Sequence, residues 1–421
     1  MEQAWIDRVG AARRVALLAV AVCLPLWPGG LPMLCGLLVV LMLPWGRGRW
    51  RLRPMQRNSL LPWFLGYYLV HVVGMAWSTN LKHGAFDLEV KLLAALLPLV
   101  VALDPLPWQV ERGLVLRAFR WATALTFLVL LSRSSVIFIA ELLLRAEGPV
   151  PNTLPWTNIF FSTYFSPWLH PSYLAHYGVF ALASGALGPD LRSGPRWASV
   201  IDRGPVPLLL VLGVVLTASK AGWIGLALVA VYLLVIHWRE RAVRRALLGA
   251  SLGSALLLAG LVASFGTVRA KFTDTWHALV HTDPQGHDSS SARVLVWSAA
   301  MELVNASPWI GTGTGDVKDE LIRVYGERGY AYPLEHRLNA HSQLVQSAVA
   351  LGVPFALYLL LALLVPLVSA VRARDHLLVS FIVLALVNWS FESMLEVQAG
   401  VVFFLFFAAV LDPSAKPERH P

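Results

Sequence analysis

The chain has 421 residues, 57% of them hydrophobic and only 14% charged, with a mean hydropathy of +0.62. That balance excludes an ordinary soluble domain and indicates an all-α polytopic membrane protein. The formal net charge of +9 does not point to nucleic acid, and no such partner is expected, because the basic residues sit in short clusters between apolar runs rather than along one surface helix.

Apolar runs of ~20 residues cross the ~30 Å hydrocarbon layer as helices, which satisfy their backbone polar groups internally. About twelve spans are predicted, at 15–28, 31–45, 60–77, 88–103, 114–143, 170–188, 205–218, 221–237, 246–264, 342–370, 376–390 and 396–411. Arg8, Arg13 and Arg14 ahead of the first run resemble the start of a signal peptide, but a second apolar run follows at once, so the segment is kept as a membrane helix. Cys23 and Cys35 fall within predicted helices, which leaves no disulfide framework, Cys-x-x-Cys pair or zinc ribbon. Pro25, Pro207, Pro354 and Pro366 predict kinked, tilted or re-entrant pieces.

The Lys/Arg bias of the short loops sets the orientation. With the N-terminus cytoplasmic, the loops on its side hold Arg47, Arg49, Arg51, Arg53 and Arg57; Arg112; Arg192, Arg196 and Arg203; Arg239, Arg241, Arg244 and Arg245; Arg372 and Arg374; and Lys416 and Arg419. The opposite short loops hold little beyond Lys82, Arg145 and Lys220. This puts both termini in the cytoplasm and residues 265–341 on the outer face, which in a diderm bacterium is the periplasm. Three parts follow: residues 1–264 with the first nine helices and short loops, 265–341 as one long, helical periplasmic loop carrying the active site, and 342–421 with the last three helices and a short cytoplasmic tail. The Pro/Gly-rich stretch 188–207 reads as a cytoplasmic connector.

The long polar interval holds the residues able to do chemistry. In Ser289-Ser290-Ser291-Ala292-Arg293-Val294-Leu295-Val296-Trp297, Arg293 and Trp297 are spaced i,i+4 on an amphipathic helix. Its stripe is read as Val294, Trp297, Met301 and Val304, with Ser290 or Ser291 capping the start. Arg293 is either a surface guanidinium packed over an indole or an anion clamp, since guanidinium binds a diphosphate bidentately and keeps its charge near a membrane. His341 lies where the loop ends and a helix begins, ahead of Ser342, Gln343 and Gln346. Its reference pKa of ~6.5 suits proton abstraction near neutrality, although an interfacial histidine with a satisfied ring is the plainer alternative. Gly352 and Pro354 allow close packing and a kink further on.

Lys220, in Thr217-Ala218-Ser219-Lys220-Ala221-Gly222-Trp223, occupies a short break between two helices. It is either a snorkelling lysine or a cation directed into a cavity at membrane level. Glu392 and Glu396 reach the same face and are candidates to pair with the cations. His170 opens the sixth span, in His170-Pro171-Ser172-Tyr173, where it would line the same cavity. Gly311-Thr312-Gly313-Thr314-Gly315 lacks a Walker lysine and follows no strand, and it is read as a flexible turn. His277 and His281 have i,i+4 spacing, with His287 and Asp288 near, but no His-Glu-x-x-His pattern or Cys ligand accompanies them, and no metal is expected.

Ser219-Lys220-Ala221-Gly222-Trp223, Arg293-x-x-x-Trp297, Gly311-x-Gly313-x-Gly315, and His341 followed later by Gly352 resemble the pattern of the bacterial O-antigen ligase/polymerase superfamily, over roughly residues 165–411. The family pattern often has Arg at the position of Lys220 and Asn at that of Ser342. The resemblance implies transfer of O-antigen from undecaprenyl diphosphate to a sugar hydroxyl of lipid A–core in the outer leaflet of the inner membrane, with no metal, nucleotide sugar or other cofactor. His341 would be the general base. Arg293 and Lys220 would hold the diphosphate, with Arg269 or Arg337 assisting, and, from their own placement, Trp297, His170 and Glu392 are read as contributing to binding. A polymerase and a protein O-oligosaccharyltransferase use the same donor. The single long outer loop, and an end soon after the last helix, favour a ligase. A lipid-linked glycan transporter is the non-enzymatic alternative, and it predicts that His341→Ala leaves activity intact.

Overall fold

The computed structural model describes residues 2–43, 59–103, 109–146, 159–189, 196–264, 266, 269, 273 and 289–412. In chain order the helices are α1 (Glu2–Leu26), α2 (Leu31–Met42), α3 (Leu61–Gly74), α4 (Leu81–Lys91), α5 (Leu93–Leu103), α6 (Gln109–Ala146), α7 (Ser162–Phe165), α8 (Pro171–Leu187), α9 (Arg196–Arg203) and α10 (Pro205–Leu216). They continue with α11 (Lys220–Ile236), α12 (Arg241–Ser264), α13 (Ser289–Ala306), α14 (Val317–Arg328), α15 (Ala331–Glu335), α16 (Gln343–Leu351), α17 (Val353–Arg372), α18 (His376–Phe391) and α19 (Gln398–Val410). Among the described residues no strand occurs.

By length and composition, five stretches are able to cross a membrane: Asp7–Leu26, Arg112–Leu144, Trp197–Leu216, Arg241–Ser264 and Val353–Arg372. Shorter apolar helices include Lys220–Ile236, His376–Phe391 and Gln398–Val410. The chain is an all-α membrane protein.

Three predicted segments need correction. The span at 88–103 is broken, because α4 ends at Lys91 and α5 starts at Leu93. The span at 342–370 is two helices meeting at Gly352, whose φ of +84° no continuous helix allows. The connector at 188–207 contains α9, which continues into α10 through Gly204. The basic cluster Arg47–Arg57 and the His277, His281, His287 and Asp288 group lie outside the described residues.

The chain divides into two compact units, Met1–Val115 with Asp274–Pro421, and Leu116–Thr273. Each contains a helix enclosed by its neighbours over most of its length. In the first unit this is α19, buried from Ala399 to Val410 and packed by α2, α3 and α5. Its Phe404 meets Phe64 of α3 at 4.7 Å between ring centroids and Trp389 of α18 at 4.8 Å.

In the second unit the enclosed helix is α8, buried from Pro171 to Ala181 and packed by α10 and α11. Glycines bring α6, α8 and α10 into near-backbone contact around Phe127. A Cβ at Gly213 would lie 2.1 Å from Phe127 Cγ, and one at Gly178 2.6 Å from Val214 Cγ2. Gly213→Val should therefore force the helices apart, costing about 1–3 kcal/mol or more. The check is the fraction surviving heating in detergent, followed by size exclusion, and a curve equal to the parent's would contradict the packing described. Asp202 ties α9 to α6: its carboxylate accepts from Arg117 at 2.6 and 2.8 Å, from Trp121 Nε1 at 2.6 Å, and from Arg120.

Candidate active site

In the first unit the polar interval is a wedge of backbone. Thr312 and Gly313 donate their N–H groups to the carbonyls of Val349 and Ala350, at 2.8 and 2.9 Å. Gly311 and Gly313 have φ of +67° and +100°, where a side chain is strained, and a Cβ at Gly311 would lie 2.5 Å from the Ala350 carbonyl. Thr314 Oγ1 donates to His71 O at 2.7 Å, and the Asp316 carboxylate accepts the N–H groups of Thr79 and Asn80, both at 2.7 Å. The reading of Gly311–Gly315 as a flexible turn is thus overturned: the segment is buried and bonded at each step. It also explains the break at Gly352. The last carbonyls of α16 are taken by the wedge, while Val353 N–H, opening α17, donates to Pro308 O at 2.8 Å.

α13 presents Arg293 and Trp297, and its buried face is Ala292, Leu295, Val296, Ala299, Ala300, Leu303 and Val304. The predicted stripe was rotated, for Met301 is 47% exposed. Ser290 and Ser291 lie inside the helix rather than capping it, since α13 begins at Ser289.

His341 sits in the turn between α15 and α16 with φ +44°, a left-handed conformation in which histidine is several-fold enriched among non-glycine residues. Holding it there costs about 1–3 kcal/mol, which several hydrogen bonds worth ~1 kcal/mol each offset. Asn339 Oδ1 accepts the His341 N–H, Gln346 Oε1 accepts the Ala340 N–H, and the Trp297 indole N–H donates to the Ala340 carbonyl, all at 3.0 Å. Tyr325 of α14 donates its phenol to Leu338 O at 3.2 Å. Burial pushes that phenol above its ordinary pKa and keeps it a donor.

The C-terminus of α18 closes the group. Glu392, 4% exposed, directs one oxygen at Arg293 Nη2 (2.9 Å) and the other at His341 Nδ1 (3.4 Å), while Arg293 Nε donates to Phe391 O at 3.4 Å. One carboxylate thus touches both the guanidinium and the imidazole. An ionised carboxylate only accepts, so Nδ1 carries a proton, and in the neutral ring the lone pair is then on Nε2. Among the described residues no hydrogen bond engages Nε2, and the His341 side chain is 21% exposed. Glu392 faces Arg293 and His341 instead of open space, and the Trp297 N–H is used on the backbone before His341.

Behind this group lies a second one that sequence reasoning missed. Lys91, fully buried at the end of α4, donates to Glu396 at 2.8 Å and to Asp87. Glu396, expected to pair with one of the singled-out cations, pairs with this lysine. The signal was present, since Lys91 falls inside a predicted apolar span, where an ionisable residue points to function. Gln343, noted only for its position, spans the gap: its Nε2 donates to Glu396 at 3.0 Å and its Oε1 accepts the Leu395 N–H at 2.7 Å.

The remaining predicted residues belong to both units. Arg337 of the first unit is exposed, with φ +48°. Lys220, His170 and Arg269 belong to the second unit. Lys220 follows a turn in which Ala218 has φ +51° and Ser219 caps α11 by accepting the Gly222 N–H at 3.2 Å. A cation at the first position of a helix opposes the macrodipole, so Lys220 is not there to stabilise α11. His170 is exposed at the start of α8, 5.6 Å from Tyr173 between centroids, and Arg269 is exposed and donates to Ala263 O at 3.1 Å.

A comparison with curated proteins finds no match. Residues 206–360 match the family model described as O-Antigen ligase, an interval that includes Lys220, Arg269, Arg293, Trp297, Arg337 and His341 but stops short of Glu392. Over this interval the chain matches the O-antigen ligase family model, which supports the resemblance to the O-antigen ligase/polymerase superfamily.

Proposed function

We propose that the protein is an O-antigen ligase, moving O-antigen polysaccharide from undecaprenyl diphosphate to a sugar hydroxyl of lipid A–core. The observation that carries the mechanism is the Glu392 carboxylate held between Arg293 and His341. The acceptor hydroxyl gives its proton to His341 Nε2 as its oxygen attacks the anomeric carbon. The bond from that carbon to the diphosphate breaks, and its electron pair leaves on undecaprenyl diphosphate. Attack opposite the leaving group inverts the anomeric centre. Glu392 holds the imidazole in the tautomer that frees Nε2 and steadies the imidazolium that forms, a role like that of the aspartate in a serine-hydrolase triad. The charge of the guanidinium stabilises the leaving diphosphate. Lys220 is a further cation for the diphosphate by the family resemblance, and Arg269 or Arg337 assists.

The topology that goes with this reading has about twelve spans in the bacterial inner membrane, cytoplasmic termini, and the 265–341 interval at the periplasmic face. There the site meets a lipid-borne donor and an acceptor in the same leaflet.

The test is reconstitution of the purified protein with lipid-linked glycan and lipid A–core in the presence of a chelator. A product carrying glycan on the core supports a ligase. Glycan lengthened without core attachment reassigns the chain to polymerase, and glycan moved across the bilayer without bond cleavage reassigns it to transport. Arg293→Ala should cut transfer by about 10²–10³-fold while the protein remains folded in the membrane. Transfer within a few-fold of the parent would remove Arg293 from the mechanism.

A further inference from the structure

The hydrogen bond between His341 and Glu392 is long, and it joins a partly exposed ring to a residue just beyond the end of a helix. At 3.4 Å it lies beyond the common range and is too weak to fix the separation of the two segments that it joins. Those segments are tied a second time. Gln343, two residues after His341, reaches the segment that begins with Glu392 through two shorter bonds, to Leu395 N–H at 2.7 Å and Glu396 Oε1 at 3.0 Å. The side chain is wholly buried, and the chemistry of its partners fixes the amide orientation, since an N–H only donates and a carboxylate only accepts. Glu396 is held in turn from α4 by Lys91 at 2.8 Å. A buried lysine is costly unless paired, so this anchor has few alternative arrangements.

We infer that Gln343 is a positioning residue for the base: its double tie to Leu395 and Glu396, backed by Lys91, sets the distance at which Glu392 meets His341 Nδ1. The inference deepens the mechanism above and rests on it. Gln343 touches no reacting atom. It acts by making the imidazole a single tautomer with Nε2 unprotonated.

Gln343→Met, of similar volume, removes both bonds. Initial rates at saturating donor should fall about 10- to 100-fold, the scale expected from a misplacement near 1 Å, with the half-saturating donor concentration unchanged. The ¹⁵N signals of His341, assigned by their disappearance in His341→Asn, should change from one Nδ1–H tautomer to a mixture. A merely structural role would lower the amount of folded protein and leave the ring of the surviving molecules as it was. Unchanged turnover or an unchanged tautomer in folded Gln343→Met overturns the inference, however His341→Asn behaves. Retained transfer by His341→Asn refutes instead the assignment of the base. Should Gln343→Met fail to fold, Glu396 decides: Glu396→Gln, whose amide oxygen still accepts from Gln343, should lose at least tenfold less turnover than Glu396→Ala, and equal losses overturn the tie.

Discussion

His341→Asn protein is expected to reach the membrane at the parental level and to transfer glycan about 10²–10⁴-fold more slowly, the usual contribution of a positioned general base. Asparagine is the informative replacement because of the backbone. At φ +44° an alanine carries a steric cost, whereas asparagine is among the few residues that tolerate the left-handed region. The bonds that hold the turn through Asn339, Gln346 and Trp297 involve main-chain groups of Ala340 and His341, so they survive the change. Lost transfer is then attributable to the missing lone pair. Consumption of lipid-linked donor, measured at the outset of the reaction, is the readout, and a rate within tenfold of the parent's would eliminate His341 as base.

Glu392→Gln should be nearly as damaging, about 10²–10⁴-fold, although it changes one oxygen to a nitrogen. Its amide N–H₂ can donate to Nδ1, which favours the tautomer with the proton on Nε2, the position that must stay open. The same change removes the negative charge between Arg293 and the ring, where Glu392 is almost wholly enclosed. Turnover of Glu392→Gln is to be compared with that of Glu392→Asp, which keeps the charge on a shorter arm. Asp falling below Gln would show that reach matters more than proton location, contrary to the tautomer argument.

The longer apolar helices were legible in this sequence as runs of apolar residues, and the break before Lys220 was visible in Thr217, Ala218 and Ser219. The division of 342–370 was not. Gly352 and Pro354 suggested a kink, but the interruption is caused by Thr312 and Gly313 donating to the carbonyls of Val349 and Ala350, and periodicity is blind to such pairing. The rotated face of α13 has a related origin. Its small Ala292, Ala299 and Ala300 are the residues enclosed by neighbours, and hydropathy ranks them below Met301. Arg293 and His341 were identifiable by residue type and placement. Glu392 was named among the binding residues, but its place between Arg293 and His341 was not legible, because only three-dimensional packing sends it to Arg293 and Glu396 to Lys91.

The Lys91–Glu396 pair joins residues 305 positions apart. On a ribosome adding roughly 5–20 residues per second, about 15–60 seconds separate the emergence of the lysine from that of its distant partner. Asp87, one helical turn earlier on α4, emerges beforehand and bonds the same ammonium. The nascent chain therefore carries a provisional counterion for a charge that would otherwise wait alone. The second carboxylate is thereby suited to serve biogenesis, guarding α4 until the last helices are made.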